Sequence, residues 1–409
     1  MHTTRRPGFM QGIMLLLPIT MAVMGVSLLI TVVPLMYQHF KAVPHYAYLI
    51  QGGVMTMPSI WIVLFSPVAG WLADRFGRRN ILVAAMLVYA LIGIAPTFLD
   101  NLYAIILTRM GVGICESVVM VVSTTMICDY FAGKSRERWL AGQTATASLA
   151  ALVIIPLGGV LASRYGWQGP FYLYLYSLFL VVGVLLFIWE PPAQSNDGAG
   201  LDLGGACAAA VVFPWARMLG LCALTVVAAV MFYSIITQNG NALNALGVRD
   251  PSQQGLLTMI ASLGVPIGTF GYWIASRLRI GWLLFLDFAL IGIGFFGMGA
   301  ATAASSYVSY AFINQVGCGL VLPTMLVWTT RDLPYQIRGR GNGMWQASFA
   351  IGQFASGMLL QLLGDQFGGR LLPAFTVLSA VSFVVAAVAI LAALFGGKGA
   401  ATPTAVGSA

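Results

Sequence analysis

A glutamate and an arginine are the residues of this sequence best placed to do chemistry, because both stand inside an apolar run where ionised groups are rare. Glu116 falls at the middle of the run 103–128, and Arg109 precedes it by seven residues in the same run. An ionised carboxylate at the centre of such a stretch is costly, so it must face an interior, find a partner, or carry a proton part of the time. Seven residues are two helical turns, which puts both groups on nearly one face, about 10 Å apart along the axis. A direct bond would need bending, but both can line one cavity. Glu116 is therefore read as a proton-coupling carboxyl and Arg109 as its electrostatic regulator or a substrate contact. The bland alternative is a permanently protonated Glu116 that hydrogen-bonds between helices. His2, His39 and His45 lie outside the apolar runs, which excludes a histidine relay at that depth. Asp287, near the start of another apolar run, has Arg277 and Arg279 close in sequence and is read as a structural ion pair at least as readily as a coupling group.

A second concentration of charge is the segment 70–79, Gly-Trp-Leu-Ala-Asp-Arg-Phe-Gly-Arg-Arg, in a chain where only 8% of residues are charged. Asp74, Arg75, Arg78 and Arg79 are flanked on both sides by long apolar runs, so they mark a short turn at a membrane face between two spanning helices. Composition agrees. The 409 residues are 59% hydrophobic, and the mean hydropathy is +0.89, well beyond what a soluble core requires. The net charge of +8 would point to nucleic acid in a soluble protein, but loop placement accounts for it here and no nucleic-acid partner is expected. The five cysteines are scattered and imply neither a disulfide framework nor a metal site. Gly292-Ile-Gly294-Phe-Phe-Gly297 matches a dinucleotide fingerprint but has no strand before it, so it is a packing surface. No nucleotide or other cofactor is expected. No His/Asp/Ser constellation at a common depth supports an enzyme.

The elements that position these residues follow from the length of the apolar runs, since about 20 residues cross a bilayer. Runs fall near 10–36, 48–72, 80–99, 103–128, 139–163, 169–189, 217–240, 255–276, 281–301, 305–330, 341–363 and 371–396. The expected fold is thus an all-α membrane protein of twelve transmembrane helices. A longer, polar, Gly/Ala-rich connection divides it into an N-terminal six-helix bundle (1–190), a cytoplasmic linker (191–216) and a C-terminal bundle with a short tail (217–409). With both termini cytoplasmic, only Lys41, Arg164, Arg249 and Arg370 lie outside, Arg109 lies within a helix, and the other fifteen of the 20 basic residues lie inside. The halves also echo each other. Trp273 to Arg279 sits where the first half has Trp71 to Gly77, and Gly317-Cys-Gly319 answers Gly111-Val-Gly113. Such repeats fit two pseudo-symmetric bundles that rock about a central site.

The loop 70–79, Arg109 with the glycines of span 4, and Arg338-Gly339 after span 10 together resemble the major facilitator superfamily over the whole chain. The resemblance implies a secondary transporter working by alternating access. It further implies that Asp74, Arg78, Asp129 and Arg138 form a cytoplasmic gate, a latch between the halves that engages the start of span 11. A carboxylate at a helix N-terminus is favoured there by the dipole and free N–H groups. In such a transporter spans 1, 4, 7 and 10 line the substrate cavity, with help from 2, 5, 8 and 11. Its polar candidates in the first half are Thr31, Gln51 and Gln143; in the second, Tyr233, Gln238 and Asn241 on span 7, Asn314 and Gln315 on span 10, and Trp345, Gln346 and Gln353 on span 11. Each can bind ligand or join helices. One buried cation disfavours polyanions and favours amphipathic, neutral or cationic compounds. Ile155-Pro156-Leu157-Gly158-Gly159 matches the antiporter pattern incompletely. The leading expectation is proton-coupled efflux across a bacterial inner membrane by a monomer embedded in lipid, driven by the proton gradient. The alternatives are a proton-coupled importer of an organic acid or nutrient and a transport-inactive receptor.

Overall fold

A chain in hydrocarbon must satisfy its backbone N–H and C=O groups internally, and within a single segment only a helix does so. The computed structural model, which describes residues 7–190, 213–330, 333 and 335–395, is helical with no strand among the described residues. The first half comprises α1 (Phe9–Ser27), α2 (Tyr46–Phe76), α3 (Arg78–Phe98), α4 (Leu102–Tyr130), α5 (Gly133–Tyr165) and α6 (Tyr176–Phe187). The second comprises α7 (Trp215–Ala245), α8 (Pro251–Ala275), α9 (Ile280–Gly299), α10 (Ala304–Thr330), α11 (Tyr335–Gln366) and α12 (Leu372–Phe395). Eleven continuous helical stretches are long and apolar enough to cross a membrane, and the one from Gly133 to Phe187 runs for 55 residues. It makes two crossings: the 3₁₀ segment Gly166–Leu175 turns the chain back so that Gly169 lies against the Leu161 carbonyl of α5. Twelve crossings result.

Local chemistry sets the boundaries. Asn101 caps α4, its side-chain oxygen accepting from the backbone N–H of Tyr103 at 2.9 Å. Asp250 does the same for α8 ahead of Pro251. Gly77, at φ +90°, makes the tight turn from α2 to α3. The first crossing is not the single helix that 10–36 suggests: it breaks after Ser27 and resumes as a short helix Val33–His39. The sixth begins with a 3₁₀ turn where 169–189 suggests one helix.

One apolar core draws on residues from Leu15 to Ile188 and a second on residues from Ala228 to Ala389. Asp74, Arg78 and Asp129 mark one end of the molecule, the charged end. The described hydrogen bonds between the halves fall on the other side, from the opposite end to mid-depth. Tyr48 donates to Asp365 at 2.5 Å, Tyr37 to Gln361 at 3.2 Å, Thr56 to Phe354 O at 3.2 Å and Ser59 to Ala350 O at 3.4 Å. There α5 and α8 also meet backbone to backbone, with Gly159 facing Pro251 O and Gly255 facing Ile155 O. Residues 1–6, the linker stretch 191–212 and the tail 396–409 lie outside the described residues, as do the side chains of 335–339 at the start of α11.

Candidate functional site

Arg109 is wholly enclosed and ties four segments of the first half together. Its Nε donates to Val54 O of α2 at 3.0 Å, its Nη1 to the Tyr174 hydroxyl at 2.5 Å, and its Nη2 to Gly25 O of α1. Each acceptor has a local reason to be free. Val54 precedes Pro58 by four residues, and proline has no N–H with which to bond that carbonyl. Around Gly25, α1 loosens: Leu29 N bonds Val26 O, three residues back, and leaves Gly25 O to the guanidinium. Tyr174 reaches the site because Gly93 of α3 leaves room for its ring. Gly113 plays the same part between helices, letting α4 approach the backbone of α2 at Pro58.

Glu116, 1% exposed, stands two turns along α4 with its carboxyl against the Cα of Gly25, where any Cβ would collide with it. Its Oε1 has no hydrogen-bond partner. The Tyr89 hydroxyl of α3 lies beside it but donates to Met21 O at 2.7 Å. None of the described ion pairs joins Arg109 to Glu116. The two charges share Gly25 as a neighbour and interact through space. Gly25, Tyr89 and Tyr174 were absent from the sequence-based site; the readable clue was the pair Val54 and Pro58.

The remaining candidates separate into groups. At the charged end, Arg78 forms ion pairs with Asp129 and with Asp74, the latter at 3.4 Å, all within the first half. Arg138 is exposed and takes part in none of the described ion pairs. A residue that the sequence reading passed over completes this corner: Glu190 accepts from the backbone N–H groups of Arg78 at 2.6 Å and Arg79 at 2.8 Å, capping α3. Gln143 and Asn314 join helices within a half, Gln143 accepting from Thr124 at 3.1 Å and Asn314 donating to Ile291 O at 3.1 Å.

Gln51, Gln238 and Asn241, drawn from both halves, gather toward the closed end, opposite the charged one. Gln51 donates to Tyr37 at 3.1 Å, Asn241 donates to Gln238 at 2.8 Å, and Gln238 donates to Gly357 O at 3.3 Å. A cleft of about 260 Å³ opens beside them, lined by Tyr37, Lys41, Tyr46 and Asn241 among others. On the face of the second half, Trp345 stacks on Phe349 at 5.7 Å and Tyr233 meets Phe349 edge-on at 5.5 Å. Gln346 is exposed there, and Gln353 is half-buried one turn from Phe349. Thr31 Oγ1, Gln315 Nε2 and Trp345 Nε1 are buried without a hydrogen-bond partner.

Asp287 departs from its sequence-based reading. It is completely enclosed and forms no ion pair among the described residues, while Arg277 and Arg279 are exposed. Neither carboxyl oxygen has a hydrogen-bond partner. The sequence placed the arginines within eight or ten residues, but α9 starts at Ile280 and carries Asp287 two turns away from them into the packed interior.

Among the described residues no group of side chains could hold a metal ion. The arrangement has enclosed carboxyls, a helix-tying arginine and two halves in contact on one side. The sequence model of the Major Facilitator Superfamily matches residues 15–336. The chain is similar to the bacillibactin exporter of Bacillus subtilis (strain 168), 32% identical over 154 residues, a match that spans 36% of this chain and only 37% of that protein. It is 22% identical over 322 residues to the class B tetracycline resistance protein of Escherichia coli, covering 74% of this chain and 75% of that one. A crystal structure of a D-xylose–proton symporter superposes with a TM-score of 0.75 at 14% identity, covering 96% of this chain and 98% of that one.

Proposed function

Because the chain belongs to the Major Facilitator Superfamily and is a multi-pass membrane transporter rather than an enzyme, we propose that it exports a small organic molecule in exchange for protons, with Glu116 as the coupling carboxyl. The carrying observation is the place of Glu116. It is enclosed at mid-helix, with one oxygen unpartnered and a guanidinium nearby that is not bonded to it. A carboxyl held between apolar surroundings and an unbonded cation can exist in either charge state, and a proton exchanger needs that. A carboxylate locked in a bidentate ion pair would not serve.

Arg109 acts in this reading as the electrostatic regulator and as the brace that holds α1, α2 and the 3₁₀ segment before α6 around α4. Three of its nitrogens are already engaged, which favours the brace over a substrate contact and weighs against an importer that clamps a substrate carboxylate on it. Export is further supported by the relatives named as an exporter and a resistance protein. By the distribution of lysine and arginine, the charged end faces the cytoplasm of a bacterial cell and the protein sits in its inner membrane. The conformation is then inward-facing, sealed on the outer side. The aromatic face of Trp345, Phe349 and Tyr233 suits amphipathic or planar substrates. Asp74, Arg78, Asp129 and Arg138 would serve as the cytoplasmic gate when that side closes.

The test is flux in proteoliposomes with an imposed pH gradient, using ethidium and tetracycline as probes. Wild-type protein is expected to drive uphill movement that collapses with the gradient. Glu116→Gln should retain downhill exchange and lose the uphill component. Persistence of gradient-driven uphill flux in Glu116→Gln would remove the coupling role.

A further inference from the structure

The second half encloses an acid that the proposed coupling scheme does not use. Asp287 lies on α9 where α10 packs against it, with Gly317 of α10 directly against the Asp287 backbone carbonyl. It is 0% exposed, and both carboxyl oxygens lack a hydrogen-bond partner. The groups around it have committed their hydrogens elsewhere. Thr324 Oγ1, the hydroxyl beside the carboxyl, donates to Leu320 O at 2.8 Å. The Cys318 thiol donates to Asn314 Oδ1 at 3.3 Å, and Asn314 Nδ2 donates to Ile291 O at 3.1 Å.

A carboxylate can only accept hydrogen bonds, and the one hydroxyl beside this one, Thr324 Oγ1, is engaged with Leu320 O. A carboxylic acid can donate, and Thr324 Oγ1 still offers lone pairs. The charges nearby do not alter this. Helix α10 presents only the Cys318 thiol, α12 carries no ionisable side chain, and Arg277 and Arg279, just before α9, are exposed. An isolated carboxylate in such a place is not a stable species, so the neutral acid fits and the anion does not.

A second observation separates a working site from inert packing. Pro323 adjoins Thr324 in α10, so the Gly319 carbonyl loses its backbone donor, and Thr269 of α8 donates to it at 3.2 Å instead. Helix α10 is therefore weakened at the turn that carries Thr324, the hydroxyl beside Asp287. Further along the same helix Thr329 Oγ1 is buried and unpartnered. A bend at Pro323 would move Thr324 relative to α9 and uncover the acid.

We infer that Asp287 is a second proton-binding site of this transporter, occupied by a proton in this conformation, with the Thr324 side of the Pro323 turn as the way in and out. One carboxyl would then sit in each half, Glu116 in the first and Asp287 in the second. Calling it a coupling site rests on the transporter reading; its protonation does not.

The test needs neither substrate nor gradient. Full-length protein in phosphatidylethanolamine and phosphatidylglycerol vesicles is treated with N,N′-dicyclohexylcarbodiimide, which reacts with protonated carboxyls in apolar surroundings, at a series of pH values. Adducts are located by mass spectrometry, with Glu116→Gln, Asp287→Asn and Thr324→Val in parallel. Expected is an adduct on the Asp287 peptide that falls about tenfold or more as pH rises, persists in Glu116→Gln and is absent from Asp287→Asn. Thr324→Val, which removes the acceptor and keeps the shape, should shift the pH at which labelling falls. Labelling that does not change with pH would mark a fixed structural acid and overturn the proposal. So would the absence of labelling at every pH, because an acid that no conformer exposes cannot exchange protons. If Asp287 labels as expected while Glu116→Gln still drives uphill flux, the Glu116 scheme fails and this inference stands.

Discussion

Arg109 and Glu116 converge on Gly25 from two sides without pairing with each other: the guanidinium takes the Gly25 carbonyl, and the carboxyl fills the space where a Cβ would be. A direct ion pair would fix both charges. Sharing a glycine keeps them close while leaving one carboxyl oxygen free of hydrogen bonds. The cost of enclosing the arginine is met by neutral acceptors, two backbone carbonyls whose usual donors are missing and the Tyr174 hydroxyl.

Gly25→Ala tests that geometry. The added methyl must displace the Glu116 carboxyl or push α1 from α4, and overpacking of this kind costs about 1–3 kcal/mol. A lowered thermal midpoint of the purified protein is expected. Combining it with Glu116→Asp, whose shorter side chain withdraws, should recover part of the loss; an unchanged midpoint in the single variant would count against the contact.

Arg109→Lys keeps the charge but offers one nitrogen in place of three spread along a fork. It cannot reach Gly25 O, Val54 O and the Tyr174 hydroxyl together, so buried acceptors are left unpaired. A loss of about 3 kcal/mol or more is expected, seen as reduced folded yield and early melting without substrate. Tyr174→Phe, which removes one acceptor, should cost about 1.5–3 kcal/mol. A substrate-contact role would instead leave both variants as stable as wild type.

The clasp at the opposite end sets the conformational preference. Tyr48→Phe with Gln361→Ala removes the bonds to Asp365 and from Tyr37. At about 0.5–1.5 kcal/mol for each bond, the sealed arrangement should lose population several-fold. Maleimide labelling of a cysteine placed at Asn244, in the cleft beside this clasp, reads the change. Faster labelling is expected; an unaltered rate would show that packing of α5 on α8 alone holds that side shut.

Asp129 and Asp74 should behave differently although both pair with Arg78. The Asp129 side chain is 17% exposed and that of Asp74 is 71% exposed, so solvent weakens only the second pair strongly. Asp129→Asn should lower the thermal midpoint clearly, and Asp74→Asn by no more than about 0.5 kcal/mol. If Asp74 engages α11 when the charged end closes, Asp74→Asn should slow transport while leaving stability intact. Wild-type flux in Asp74→Asn would remove it from the gate.

Much of the framework could be read directly. The charged loop 70–79 marked a membrane face, and the apolar runs gave the crossings with shifts of a few residues. The exceptions have physical causes. Thr31 lies where α1 breaks, and beside it the Ile30 carbonyl faces Gly240 of α7 in the other half, a contact that no single run reveals. Gln143 and Asn314 turned toward neighbours in their own half, since an amide in an apolar helix takes the nearest polar group, the Thr124 hydroxyl for Gln143 and the Ile291 carbonyl for Asn314. Asp287 was paired on paper with arginines close in sequence, but the start of α9 sets the phase that turns it inward. Glu190 went unnoticed because its partners, the N–H groups of Arg78 and Arg79, lie more than a hundred residues away.

The sequence by itself determined that the chain crosses a membrane, where it crosses, and that Glu116 and Arg109 share an enclosed helix. Those properties depend on hydrocarbon thickness and on the cost of burying charge, both of which act on local composition. Tertiary structure alone decided that Arg109 binds two backbone carbonyls and a tyrosine rather than Glu116. It also decided that Asp287 has no ion-pair or hydrogen-bond partner among the described residues, and that the described hydrogen bonds between the halves fall away from the charged end. Each of these depends on which helices become neighbours and in what rotation. Such relations are long-range, and no window of the sequence contains them.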